Sequence, residues 1–212
     1  MTAGLRDRLA AGELLLGGFL VLNAPLAGEV LGAAGLDWAL VDMEHGATSD
    51  ADLLAHLHAT AASGLAGLVR VESGERPRSG RALDLGAEGI MFPRVDSAAD
   101  AAAAVAHLRY PPDGDRGVAT SHRAAGFGLG DTAAAMRELP LAIVQIESPT
   151  AVAAAREIAA VPGVDVLFVG PRDLRHALAA AGEPPERFDE SLVQVLEAAR
   201  AAGVATGIFL PS

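Results

Sequence analysis

Three short segments of the sequence concentrate side chains able to do acid–base or metal chemistry. In Val41-Asp42-Met43-Glu44-His45-Gly46, two carboxylates and an imidazole fall within a few positions at the end of an apolar run. In Ile143-Val144-Gln145-Ile146-Glu147, the two-residue period of a strand puts Ile143, Gln145 and Glu147 on one face, with the glutamate at the carboxyl end. Phe168-Val169-Gly170-Pro171-Arg172-Asp173 delivers an aspartate just past another such run. Two carboxylates from neighbouring strand ends can hold a hard divalent cation at about 2 Å and leave positions for water and substrate oxygens. Glu147 and Asp173 are candidates for such a pair. After Gly170 the backbone N–H groups of Arg172 and Asp173 approach a helix start where a substrate carboxylate can dock, while Pro171 has no N–H to offer. Arg70, in Leu68-Val69-Arg70-Val71, carries a permanent charge that can face an enolate oxygen.

Each feature also has a plainer reading. One Asp-x-Glu-His string is what a capped strand end with solvated acids produces. Glu147 and Asp173 also suit the positive end of a helix dipole, and Arg70 can equally serve in an ion pair with Asp42 or Glu44. The remaining histidines, His56, His58, His107, His122 and His176, lack matching ligand spacing and are expected in surface or packing roles.

Composition narrows the chemistry further. All 16 basic residues of the 212 are arginine, so a Schiff-base aldolase, a pyridoxal phosphate enzyme and a GxxxxGK phosphate loop are excluded. An enzyme of this composition that stabilises a carbanion beside a carbonyl needs another electrophile, and a bound metal ion is the obvious one. There is no cysteine, which removes disulfides, thiolate ligands and cysteine nucleophiles. A net charge of -11 repels phosphate backbones and anionic lipid, so neither nucleic acid nor membrane is an expected partner. The apolar run Leu14 to Leu22 is interrupted by glycines and preceded by acids, which suits a first buried strand better than a signal peptide. Cytoplasm is the expected compartment.

Positioning these residues requires a regular scaffold. Aliphatic runs at Gly17 to Asn23, Trp38 to Glu44, Gly67 to Val71, Gly89 to Val95, Leu141 to Glu147, Asp165 to Gly170 and Val204 to Leu210 read as strands buried on both faces. Between them lie alanine-rich helical segments. Pro25 to Ala34 is closed by Gly35, and Asp50 to Ala62 is opened by Ser49 with Asp52. Ser97 with Asp100 starts another, Ser148 with Pro149 caps one running to Ala160, and Gly203 ends the helix after Asp189. Strand and helix in alternation imply a parallel sheet, either doubly wound or a barrel. No GxGxxG follows the first strand, and polar residues end several different strands, so a single-domain (β/α) barrel over residues 1–212 is the expectation. The connection from Asp96 to Pro140 is long enough to form a cover over the site or an oligomer contact.

Several strings, in order and spacing, resemble the HpcH/HpaI aldolase family (2,4-dihydroxyhept-2-ene-1,7-dioate and 2-dehydro-3-deoxyglucarate aldolase type). They are Gly35-Leu36-Asp37-Trp38, Asp42-Met43-Glu44-His45-Gly46, Val69-Arg70-Val71, Leu83-Asp84-Leu85-Gly86-Ala87-Glu88-Gly89-Ile90, Arg109-Tyr110-Pro111-Pro112, Arg116-Gly117, Gln145-Ile146-Glu147 and Gly170-Pro171-Arg172-Asp173-Leu174. The resemblance implies a TIM barrel of the phosphoenolpyruvate/pyruvate-enolate type, with the eighth strand and helix missing from this chain. It implies a class II aldolase acting on 4-hydroxy-2-oxo acids, with Mg²⁺, Mn²⁺ or Co²⁺ on Glu147 and Asp173. Arg70 would stabilise the enolate, His45 oriented by Asp42 would act through a water as acid and base, and Gln145, Gly170, Arg172 and Asp173 would bind substrate. The partners implied are a 2-oxo acid, an aldehyde and further copies of the chain in a homo-oligomer. A 2-oxo acid decarboxylase using the same enolate, or a catalytically weak binding paralogue, are the alternatives. Arg172 and Arg175 depart from the family pattern, in which smaller residues are usual.

Overall fold

In the computed structural model, which describes residues 4–210, helices and strands alternate along the chain. The order is α1 (Leu5–Ala10), β1 (Gly17–Leu20), α2 (Leu26–Ala33), β2 (Trp38–Asp42), α3 (Asp50–Ala62), β3 (Ala66–Arg70), α4 (Arg76–Asp84), β4 (Gly89–Phe92) and α5 (Ala98–Leu108). A 3₁₀ turn (Arg123–Gly128) and α6 (Thr132–Arg137) lead to β5 (Leu141–Ile146), α7 (Pro149–Ala153), α8 (Ala155–Ala159), β6 (Val166–Val169), α9 (Pro171–Ala180), α10 (Glu186–Ala202) and β7 (Ala205–Ile208). The chain divides into two compact units: one runs up to Met91 and adds Ala106–Leu141, the other comprises Phe92–Val105 and the chain from Ala142 on.

In the first unit β1, β2, β3 and β4 pair in parallel in the order of the sequence, with Asp42 beside Arg70 and Arg70 beside Met91. In the second unit β5, β6 and β7 pair in parallel, also in sequence order. Neither series contains the reversal of strand order that marks a doubly wound sheet. The parallel α/β class is thus the one the alternating pattern predicts, and the seven strands fall where the apolar runs lie, ending one to three residues earlier than the runs do.

Burial follows from the pairing. Every residue of β3, β4, β5 and β6 is buried, as strands covered on both faces require. β1 and β7 differ from the expectation of full burial: β1 is mostly half-buried, and β7 alternates between half-buried and exposed. Among the described residues each has one paired neighbour within its unit, β2 for β1 and β6 for β7.

The helices show why these segments stop and start. Ser49 caps α3 by a reciprocal capping box with Asp52, and α3 turns Leu53, His56, Leu57 and Thr60 inward. Gly203 closes α10 in the left-handed conformation, φ 71°. The segment read as one helix to Ala160 is two, α7 and α8, because Ala154 leaves helical geometry at φ -90°, ψ 7°. In the long connection of the first unit, buried Arg116 pairs with Asp84 at 3.0 Å and lies over the Tyr110 ring at 4.6 Å. Tyr110 therefore serves packing. Among the described residues no helix is long and apolar enough to cross a membrane.

Candidate active site

The first unit builds its polar cluster at the carboxyl ends of β2 and β3. Asp42 is the last residue of β2 and Arg70 the last of β3, and the register sets them side by side. The side chains meet as a fork: Arg70 Nε donates to Asp42 Oδ1 at 3.0 Å and Nη2 donates to Oδ2 at 2.6 Å. Nη1 stands 3.2 Å from Glu44 Oε2, and the guanidinium lies 5.4 Å over the Phe19 ring. Asp42 is 1% exposed and Arg70 8%, so this is a buried charge pair with planar, two-point geometry. Burial alone pushes the Asp42 carboxyl up, but the Arg70 guanidinium and the N–H groups of His45 and Glu44 outweigh it and hold the group below its ordinary value.

After Asp42 the chain folds back on itself. The backbone N–H groups of Glu44 and His45 donate to Asp42 Oδ1 at 3.1 and 3.2 Å. A Cβ on Gly46 would stand 2.1 Å from the Asp42 carbonyl oxygen, so only glycine permits this turn. The Asp42 carboxylate thus orders His45 through its main chain. The imidazole itself is exposed, with Nε2 3.7 Å from Glu44 Oε2. Arg70 is ion-paired with both Asp42 and Glu44, the plainer of its two readings, and that pairing fixes the plane of the guanidinium.

The second unit brings together Gln145, Glu147, Gly170 and a residue that sequence reasoning missed, Arg94. Glu147 follows the last residue of β5. Its Oε2 accepts from Gln145 Nε2 at 2.6 Å, and its Oε1 accepts from the backbone N–H of Arg94 at 2.8 Å. Gln145 is buried, like every residue of β5. A Cβ on Gly170 would lie 2.8 Å from Gln145 Nε2 and 3.0 Å from Glu147 Oε2, so the absence of a side chain lets the end of β6 pass this close. Gly170 then leads into α9, whose first turn carries Arg172 and Asp173, both exposed. Arg175 is drawn away to lie over the Phe188 ring at 3.8 Å.

These residues fit a hard divalent cation by donor type. Glu147 and Asp173 offer anionic oxygens, the donor type that a hard divalent cation takes. No group of three or more His, Cys, Asp or Glu able to hold a metal occurs among the described residues. An ion on two carboxylates would complete its shell with water and substrate oxygens, which is how Mg²⁺ is commonly held. The other histidines take the structural places expected: His107 pairs with Asp115 at 2.8 Å, and His56 is fully buried in α3.

Residues 15–211 match the family model of HpcH/HpaI aldolase/citrate lyase. The chain belongs to this family. A hydroxypyruvate/pyruvate aldolase of Paraburkholderia phytofirmans is 41% identical over 98% of this chain and 83% of its own length. A 5-keto-4-deoxy-D-glucarate aldolase of Salmonella paratyphi C is 40% identical over 96% of the chain and 80% of its own length. Among solved structures, an HpcH/HpaI aldolase/citrate lyase family protein from Burkholderia cenocepacia superposes with a TM-score of 0.90 at 42% identity, covering 97% of this chain and 84% of that one. Membership of an aldolase and lyase family accords with the resemblance carried by the ordered strings above, from Gly35 to Leu174.

Proposed function

We propose that this member of the HpcH/HpaI family is a divalent-metal-dependent aldolase that cleaves or forms 4-hydroxy-2-oxo acids through the enolate of pyruvate. One observation carries the reading: a buried arginine at a strand end is held flat by two carboxylates, with an exposed histidine three residues after the first of them. A chain without lysine cannot use an iminium, so its electron sink has to be electrostatic.

Glu147 and Asp173 would hold Mg²⁺, Mn²⁺ or Co²⁺, which supplies a Lewis acid for the carbonyl oxygen of the 2-oxo acid. Gln145 and the Arg94 N–H hold Glu147 in place. The N–H groups of Arg172 and Asp173, at the start of α9, receive the substrate carboxylate. In cleavage, the imidazole of His45 accepts the proton of the 4-hydroxyl through a water as the C3–C4 bond breaks. The aldehyde departs, the electron pair remains on C3, and the proton is returned to C3 to give pyruvate. Arg70, unable to rotate away from Asp42 and Glu44, presents a fixed positive charge to the oxygen on which negative charge accumulates.

The test is exchange of the pyruvate methyl protons for solvent deuterium, followed by NMR. Exchange is expected only with added divalent metal, is abolished by chelator, and falls about 100-fold or more in His45→Ala. Exchange indifferent to both chelator and that substitution overturns the reading.

A further inference from the structure

The loop after β4 is fastened to the end of β5 at two neighbouring points. β4 ends at Phe92, Pro93 and Val95 are buried, and Arg94 between them takes φ 55°. A residue with a side chain keeps that left-handed conformation when its surroundings hold it there. The Arg94 backbone N–H then donates to Glu147 Oε1 at 2.8 Å. Two residues further on, Asp96 Oδ1 accepts from the hydroxyl of Ser148, the residue that follows Glu147. The same hydroxyl accepts from the Ala151 N–H at 2.9 Å and so caps α7.

Ser148 is thus a junction. Its oxygen spends its proton on Asp96 and a lone pair on Ala151, which fixes the side chain from both directions. The consequence reaches Glu147, whose two oxygens are held by different parts of the chain: Oε2 by Gln145 Nε2 at 2.6 Å and Oε1 by the Arg94 N–H. Gln145 is fixed by its burial in β5. The Arg94 N–H stays in place for as long as the left-handed backbone persists, and a loop free to relax would turn it away. Asp96 is the polar anchor that ties this loop to the residue beside Glu147.

We infer that Asp96 is a positioning residue for Glu147: by accepting the Ser148 hydroxyl it keeps the Arg94 N–H on Glu147 Oε1, and it sets the affinity for a divalent ion without touching the ion. This inference rests on the reading of Glu147 as a metal ligand. A carboxylate whose orientation is fixed in advance loses less freedom when an ion binds, and outer partners of ligands typically change metal affinity by about 10- to 100-fold.

Mn²⁺ binding to the intact protein, without substrate, is followed by electron paramagnetic resonance of the free ion, and the Kd of the tightest site is compared among variants. It is expected to rise about 10-fold in Asp96→Ala and to stay within about threefold of wild type in Asp96→Asn, which loses the charge but keeps an acceptor oxygen. Ser148→Ala, which leaves every charge in place, is expected to weaken binding as Asp96→Ala does. The double variant Asp96→Ala/Ser148→Ala is expected to bind no more weakly than the weaker of the two single variants, because both substitutions remove the same bond. A Kd in Asp96→Ala within about twofold of wild type overturns the inference. So does an Asp96→Asn variant as weak as Asp96→Ala, since the effect would then be one of charge. Where the metal-free Tm shows that Asp96→Ala does not fold, Ser148→Ala decides by the same twofold criterion. A Glu147→Gln variant that binds Mn²⁺ as tightly as wild type overturns the parent reading instead, and that measurement tells the two failures apart.

Discussion

Asp42 and Arg70 are worth most as a pair and least when separated. Each is buried, and the two-point fork leaves the guanidinium neutralised as long as the carboxylate is ionised. Asp42→Asn keeps the shape but removes the charge, leaving a buried cation that has lost its two-point partner and still faces Glu44. We expect a loss of about 3–5 kcal/mol by urea unfolding, the usual consequence of breaking such a pair from one side. The pH dependence has a definite sign. The folded pKa of Asp42 lies below its unfolded value, so its contribution is complete above about pH 4 and is lost as pH falls through the folded value. Asp42→Asn should flatten that part of the acid limb in a plot of Tm against pH, and an unchanged limb would assign acid sensitivity elsewhere. Arg70→Lys should fold, yet lose about 100-fold or more in kcat, because an ammonium cannot reproduce the fork.

At the scale of elements, the strand ends matter more than the strands. β2 could not turn back over Asp42 with any side chain at position 46, since a Cβ would meet the Asp42 carbonyl oxygen at 2.1 Å. Gly46→Ala must therefore displace the segment carrying Glu44 and His45, and is expected to reduce turnover more than it reduces Tm, measured side by side. The core beneath this turn also titrates. His56 lies wholly buried in α3, with Nε2 3.4 Å from the Asn23 side-chain oxygen, and desolvation holds its pKa below the ordinary value. Unfolded chain takes up a proton near pH 6.5 that the folded chain refuses, so stability declines as pH falls below that point.

What could be read from sequence follows the same division. α3 was legible residue for residue, because Ser49 and Asp52 form the signal and the structure uses it. The strand cores were legible from their aliphatic runs, whereas their ends overshoot because apolar residues such as Val21, Leu22 and Phe209 continue after pairing stops. α4 carried no comparable signal: Arg76-Pro77-Arg78-Ser79-Gly80 is polar and glycine-broken, and its helix is held by Ser79, Ala82 and Leu83 turning inward and by the ion pairs of Arg78 and Asp84. The polar residues at the ends of β2, β3 and β5 were legible as a set, since chemistry-bearing side chains beside aliphatic runs stand out. Arg94 was not, since nothing in Phe92-Pro93-Arg94-Val95 predicts a left-handed arginine whose backbone serves Glu147.

For the whole molecule, composition and family membership converge on one constraint. With every cation an arginine, no side-chain amine exists to trap a 2-oxo acid, and borohydride with pyruvate should leave activity intact. On the proposed reading activity comes through an ion, and an ion that binds only the folded chain stabilises it by mass action. At 100 times its dissociation constant that amounts to about 2.7 kcal/mol, which for a chain of this size corresponds to a rise in Tm of about 5–10 °C. Thermal unfolding with saturating Mn²⁺ should show such a rise, chelator should reverse it, and Glu147→Gln combined with Asp173→Asn should abolish it. Glu147→Gln replaces one of the two oxygens that accept from Gln145 and the Arg94 N–H by an amide donor, so the metal-free Tm of the variant is compared with wild type first, and loss of the shift in a variant that still folds reports on the ion. A rise of equal size in the double variant would mean that the cation sits on other acids of this strongly anionic chain, and Glu147 and Asp173 would lose their role as its ligands.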